Sequence, residues 1–284
     1  MSKFMIVAES GSDIPKDLAD QNRIRIVPMH VSFGNATKDD MTFPTEEVFE
    51  HYRKTGVIPK TSGCNPEDFA VAFDELHRRF PDKHILHLAY SAVTTVSYQS
   101  AVIASEGRDY VTSIDTKSVS AGQSTVVLAV ARYLDEHKDC TLKDIKSHVS
   151  KLVNRIHMGF IPEDLNYLRV GGRVSNVAYL GAKILSIKPM IEIIDGKLMA
   201  AKKYRGSALS IVPKFIHEFT EKHRFEKQKI TLIYSLGLDQ RVRDAMLSAV
   251  KEIGFREILW IKAGCVISTH SGPNGFGIAG FSEA

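Results

Sequence analysis

The sequence predicts an α/β protein in two lobes, an N-terminal α/β sheet lobe over residues 1–156 and a C-terminal α+β lobe over 157–284. Three observations predict it. The length of 284 residues exceeds what one hydrophobic core usually organises. Short β-branched runs alternate with amphipathic stretches through the first half, the pattern of a sheet covered by helices. Two consecutive amphipathic stretches, over 123–137 and 142–156, then interrupt the alternation, which restarts at residue 157.

In order, the predicted strands of the first half are 4–8, 24–32, 84–90 and 110–114, with helices over 44–54 and 66–80 between them. The second helix carries its own start signal: Asn65 as N-cap, Pro66 at the first helical position and Asp68 in the first turn. That cap makes 61–64 a loop. A helix over 95–106 leaves 91–94 at the end of a strand, where α/β folds commonly place ligands. In the second half the pattern predicts a strand at 157–161, a Gly171-Gly172-Arg173 turn, and a hairpin about Asp195-Gly196 joining 190–194 to 198–202. Strands at 230–235 and 257–262 and helices at 207–222 and 240–253 complete the lobe. Residues 266–277 read as a β-rich run joined through His270 to a glycine-rich turn.

Composition narrows the function. With 44% hydrophobic and 25% charged residues the chain is that of an ordinary globular protein. No window approaches the ~20 apolar residues that cross a bilayer, and Glu9 and Asp13 interrupt the start before a leader could develop, so a cytoplasmic protein is expected. Cys64, Cys140 and Cys265 are widely spaced and lack CxxC or zinc spacing, which predicts reduced thiols and no metal. The net charge of +4 is dispersed, which argues against nucleic acid but suits docking to an acidic protein or a phosphate.

Five segments could carry chemistry. Lys60-Thr61-Ser62-Gly63-Cys64-Asn65-Pro66 brings two hydroxyls to a helix N-terminus, although a self-capped surface turn would look the same. Ser91 to Ser100 sets several hydroxyls where the next helix begins, one of which can be simply its N-cap. His270 precedes Gly272, Gly275 and Gly277, which admit close backbone approach, but a structural turn reads alike. Gly171-Gly172-Arg173 and Lys202-Lys203-Tyr204-Arg205-Gly206 set cations beside glycine, as do many solvated surface loops. None is a P-loop or a GxGxxG fingerprint, so the chain is expected to have no nucleotide site of its own.

Taken in order, these pieces resemble the DegV family of bacterial fatty-acid-binding proteins. The resemblance rests on Glu9-Ser10-Gly11-Ser12-Asp13, Lys60-Thr61-Ser62, Tyr98-Gln99-Ser100-Ala101, Asp115-Thr116-Lys117-Ser118 with Gly122, the LNYLRVGGRVS run at 165–175, Ile187-Lys188-Pro189, Tyr204-Arg205-Gly206 and the run from His270 to Gly277. It spans nearly the whole chain, as one DegV domain over 3–282 or as the two lobes above. It implies a lipid site between or within the lobes that holds one long-chain fatty acid, of about 14 to 18 carbons, whose burial would drive binding. It further implies a carrier rather than an enzyme, the acyl-carrying subunit of a fatty acid kinase whose partner uses ATP to make an acyl phosphate. Carried over by position, Thr61, Ser62, Thr95 and His270 would bind the carboxylate, with Ser91 as a further pocket hydroxyl. Arg173 and Arg205 would face the kinase or the transferring phosphoryl group. No cofactor is implied beyond the ligand, and any membrane contact would be transient and at the surface. The family's Ser-Ser-x-x-Ser-Gly-Thr-Tyr run reads here Ser91-Ala92-Val93-Thr94-Thr95-Val96-Ser97-Tyr98, so a branched Val96 stands in place of glycine. The main alternative is a hydrolase or acyltransferase acting on lipid esters, with Ser91 or Thr95 as nucleophile and His270 as base; no GxSxG elbow supports it. A purely regulatory protein is the third reading.

Overall fold

The computed structural model describes residues 2–174 and 187–284. A parallel sheet of order β2-β1-β6-β7 is built from β1 (Phe4–Glu9), β2 (Ile24–Val27), β6 (His84–Ala89) and β7 (Val111–Asp115). A small antiparallel sheet of β3 (His30–Phe33), β4 (Ala36–Asp39) and β5 (Lys60–Ser62) lies at its side. Helices α1 (Lys16–Gln21), α2 (Glu46–Thr55), α3 (Pro66–Arg79) and α4 (Ser97–Ala104) belong to this half. The single strand expected over 24–32 is therefore two strands in two sheets. Pro28 cannot donate to a ladder, and it stands at the break.

A mixed six-stranded sheet, order β10-β9-β8-β13-β11-β12, forms the second half. Its strands are β8 (Ile156–Ile161), β9 (Ile187–Ile194), β10 (Lys197–Arg205), β11 (Lys229–Tyr234), β12 (Glu257–Lys262) and β13 (Phe276–Phe281). The expected hairpin is present and longer than predicted; Asp195 and Gly196 both have positive φ, 47° and 79°, as a type I′ turn requires. Helices α8 (Ala208–Lys222) and α9 (Gln240–Ile253) cover this sheet. Fold and sheets together make a mixed α/β architecture.

Helix α5 (Ser120–Glu136), followed by α6 (Leu142–Val153), is buried along most of its length and touches β1 as well as β8, β11 and β13. From Ser120 to Leu128 every residue is buried, so this part of the helix has no solvent face and acts as the layer between two sheets, while Arg132, Asp135 and Glu136 in its last turns are exposed. Two polar contacts fix its roll: Gln123 Nε2 donates to Glu9 Oε2 at 2.8 Å, and the Thr125 and Thr231 hydroxyls meet at 2.8 Å. Behind it lies a fully buried cluster. Glu9 accepts from the Tyr90 backbone N–H at 2.9 Å and faces His87 Nε2 at 3.1 Å, while His87 Nδ1 meets Ser113 Oγ at 3.1 Å. Burial pushes the Glu9 carboxyl up, but the His87 ring and the hydrogen bonds from His87, Tyr90 and Gln123 hold it below the usual glutamate value.

The expectation of local structure that departs furthest from the structure is at 266–277. Residues Cys265–Ser271 form a helix, α10, and the glycine-rich stretch after it contains strand β13. The β-branched Val266 and Ile267 suggested a strand, but tertiary contacts decide. Asp13 Oδ1 accepts the Gly264 N–H at 2.8 Å and Asp40 Oδ1 accepts the Cys265 N–H at 3.1 Å, so two carboxylates from the first half satisfy backbone donors that open the helix. Within the loop expected at 61–64, Thr61 and Ser62 instead pair with β3 as part of the short edge strand β5.

Candidate functional site

At the C-terminal end of the parallel sheet, beyond the point where the chain leaves β1 for β2 on one side and β6 lies on the other, a cavity opens between the two sheets. It encloses ≈ 830 Å³ of atom-free space, its open mouth included. The deep wall is apolar: Val119 at the start of α5, Met158 and Phe160 on β8, Leu198 on β10, Ile233 on β11, Ala263 after β12, and Leu168 on helix α7 (Leu165–Gly171). Helix α7 is held by Tyr167, whose ring packs edge-on against Phe49 at 6.0 Å and Tyr52 at 5.4 Å of α2.

Polar groups gather along the wall formed by β5, the segment after β6 and α10. Thr61, Ser62, Thr94, Thr95, Arg173 and His270 all line the cavity. Thr61 Oγ1 lies 2.7 Å from His270 Nε2, and Thr95 Oγ1 lies 3.2 Å from Ser97 Oγ. Of the sequence candidates, Thr61, Ser62, Thr95, His270 and Arg173 are therefore brought together. Ser91 is not: it is buried beside the cavity with its hydroxyl donated to the Gly196 carbonyl at 2.8 Å, which ties the loop after β6 to the β9–β10 turn. Arg205, at the end of the sheet-edge strand β10, is exposed and does not line the cavity. Ser175, the last residue of the LNYLRVGGRVS run, lies outside the described residues.

His270 stands on the last turn of α10, and its ring is pressed against Gly171: a Cβ there would lie 2.2 Å from Nδ1. Burial, and secondarily the charge of Arg173, push the His270 pKa down to about 4, so the ring is neutral near neutral pH. Arg173 in turn donates from Nη1 to the Gly171 carbonyl at 2.7 Å. On the same wall Gly63 is as constrained, since a Cβ would come within 2.2 Å of Thr95 Oγ1 and 2.5 Å of Ser97 Oγ.

Sequence reasoning missed Ser97, Gly63 and the aspartate pair beneath α10. Asp13 accepts from Ser120 Oγ as well as Gly264 N–H, and Asp40 accepts from Ser10 Oγ at 2.8 Å. Burial raises the Asp13 pKa well above the usual aspartate value of 3.8, with the Asp40 charge adding to it. The linkage sign follows: the unfolded aspartate ionises first, so the stability tied to a protonated Asp13 is complete below pH 3.8 and is lost as pH rises toward the folded pKa. Asn keeps an acceptor for Gly264 and removes the titration. Asp13→Asn should therefore gain on the unsubstituted protein by up to about 1.4 kcal/mol per pH unit above that value. Urea denaturation at pH 4.5 and pH 7.5 checks it, and a stability difference that does not change with pH would contradict the assignment.

Among the described residues no group of histidine, cysteine and acidic side chains could hold a metal ion, and no helix is long and apolar enough to cross a membrane.

An enclosed apolar slot with hydroxyls, an imidazole and one guanidinium along one wall defines a binding site for a molecule with a long apolar part and a small polar head. The comparisons agree on the family. The sequence profile described as an uncharacterised protein of the DegV family matches residues 3–283, and the chain belongs to the DegV family. A DegV domain-containing protein of Caldanaerobacter subterraneus subsp. tengcongensis is 28% identical over 283 residues, covering 98% of each chain. Among solved structures, a DegV family protein from Thermus thermophilus described by its fatty acid binding superposes with a TM-score of 0.88 at 27% identity, covering 99% of both chains. A DegV lipid binding protein from Thermotoga maritima gives 0.83 at 25% identity, covering 100% of this chain and 99% of its own.

Proposed function

We propose that this protein binds a single long-chain fatty acid and presents its carboxylate to a separate ATP-dependent fatty acid kinase, which forms the acyl phosphate. The observation that carries the reading is the cavity itself, apolar at depth and edged by the Thr61–His270 and Thr95–Ser97 pairs. Each buried methylene is worth ~0.8 kcal/mol, so a tail of about 14 to 18 carbons supplies most of the affinity. Water-excluded carboxylates are costly unless hydrogen-bonded, and Thr61 and Thr95 answer that need. The fatty acid and lipid binding described for the Thermus and Thermotoga proteins supports the same ligand class.

For phosphoryl transfer, Arg173 beside the head group supplies positive charge where charge develops. Arg205, exposed outside the cavity, is then a docking residue on the kinase-facing side. The hydrolase alternative finds less support: His270 pairs with Thr61 rather than with Ser91 or Thr95, and among the described residues its Nδ1 meets no acceptor that would orient a catalytic base.

The test is mass spectrometry of the organic extract from purified protein, alongside native mass spectrometry of the complex. One equivalent of a saturated or unsaturated acid in this length range is the expected result. A protein that is empty, and still empty after incubation with palmitate, would overturn the reading. Acyl phosphate production by a competent bacterial fatty acid kinase, dependent on this chain and lost in Arg173→Ala, then tests the presentation step.

A further inference from the structure

The head-group wall has a hydrogen-bond polarity that can be worked out donor by donor. Ser97 is fully buried, and its oxygen accepts the Cys64 backbone N–H at 3.1 Å. Its hydroxyl hydrogen has one acceptor in reach among the described contacts, Thr95 Oγ1 at 3.2 Å. Were Thr95 to donate instead, the Ser97 hydrogen would be stranded in a buried site, which folded proteins avoid. The Ser97 N–H leans on the same Thr95 oxygen at 3.4 Å, so that oxygen faces donors on its protein side. Gly63 closes the pair off, because no side chain fits between its backbone and the two hydroxyls.

The Thr61–His270 pair repeats the arrangement with different parts. His270 Nδ1 is buried without a partner among the described residues, against Gly171. An orphaned N–H is rarer than an orphaned lone pair, so the ring hydrogen belongs on Nε2, donated to Thr61 Oγ1 at 2.7 Å. The neutral ring makes this a choice between two tautomers, since a protonated ring would carry both hydrogens.

We infer that Ser97 is a positioning residue: its hydroxyl commits its hydrogen to Thr95 Oγ1, so that Thr95, whose oxygen already faces two Ser97 donors, has only a hydrogen to offer the cavity beside the free hydrogen of Thr61, and the wall favours an acceptor-only head group such as a carboxylate over a hydroxyl or an ammonium. The inference rests on the acyl reading above and deepens it. A carboxylate takes both hydrogens and strands nothing. A fatty alcohol can accept them but brings a hydrogen that Thr95, its oxygen already facing two donors, does not accept, and an alkylammonium sets donors against donors. The tail does not enter the choice.

The experiment compares dissociation constants for palmitate and hexadecanol, which share a tail length. The unsubstituted protein should prefer palmitate by roughly 100-fold or more, and Ser97→Ala should cut that preference about ten-fold while hexadecanol affinity stays within about two-fold. Ser97→Thr should restore it. A merely structural Ser97 would weaken both ligands alike, and an unchanged ratio in a folded variant overturns the inference. If Ser97→Ala does not fold, the near-isosteric Ser97→Cys, a weak donor, takes its place with the same expectation. Nitrogen-15 NMR of the His270 ring reads the Thr61 side separately: the hydrogen on Nε2 is expected, and a hydrogen on Nδ1 overturns that half. Failure of the unsubstituted protein to bind palmitate at all is a different result, and overturns the acyl reading together with this one.

Discussion

Gly171→Ala should weaken palmitate binding by roughly one to two orders of magnitude while costing the fold no more than about 1–3 kcal/mol, since the helix propensity alanine gains offsets part of the displaced ring. The new Cβ would stand 2.2 Å from His270 Nδ1, a separation no packed structure tolerates, so the ring must swing away. Swinging breaks the 2.7 Å contact to Thr61 and frees that hydroxyl to point elsewhere. Gly171 ends α7 without a positive φ, so alanine suits its backbone and the helix gains rather than loses. Calorimetric titration with palmitate and a thermal melt separate the two effects. An affinity within two-fold of the parent would mean that the ring is not held where the structure puts it.

Glu9→Ala should lower the melting temperature by about 10 °C, because removing one partner of a buried polar cluster costs roughly 3–5 kcal/mol and a chain of this size loses a few degrees per kcal/mol. Glu9 and His87 are both wholly buried, and the carboxylate also answers the Tyr90 N–H and the Gln123 amide. Without it three donors, on β6, just after it and on α5, lose this acceptor at once. Glu9→Gln should cost less, since it keeps the shape and one acceptor oxygen. Because the folded carboxyl is depressed below 4.5, its contribution is complete above that pH and is lost as pH falls through the folded value. The gap between parent and Glu9→Ala should accordingly shrink on acidification in parallel melts. A variant that melts within 2 °C of the parent at neutral pH would show the cluster to be dispensable, contrary to the ~1–3 kcal/mol usual for each unsatisfied buried group.

Much of this was legible because local chemistry and tertiary outcome agree. Asn65, Pro66 and Asp68 announce α3, and the structure shows the capping box they form. Asp195-Gly196 announces its hairpin for the same reason: only residues tolerant of positive φ fit there. Where sequence reasoning failed, a distant partner made the decision. Cys265 to Ser271 is helical because Asp13 and Asp40, more than two hundred residues away, answer its first N–H groups. Thr61, Thr95 and His270 were nameable through the order of the family's motifs, and all three line the cavity. Ser97 and Gly63 were not, because the role of each is a contact between the turn after β5 and the start of α4, and neither residue type announces it. Ser91, with the same hydroxyl as its neighbours, points at the Gly196 carbonyl; nothing in a run of serines and threonines says which one turns inward.

The place of β13 in its sheet has a consequence for synthesis. This strand, at 276–281, lies between β8 and β11, so it is the keystone that joins β8, β9 and β10 to β11 and β12. On a ribosome the parallel sheet of the first half can assemble early, but the second sheet remains in two pieces until residue 281 has cleared the exit tunnel. The wall that carries His270 is delivered by the same late stretch of chain. A nascent chain stalled before that point would expose both the unpaired edges of β8 and β11 and the apolar depth of the cavity, the combination that chaperones recognise and aggregates exploit.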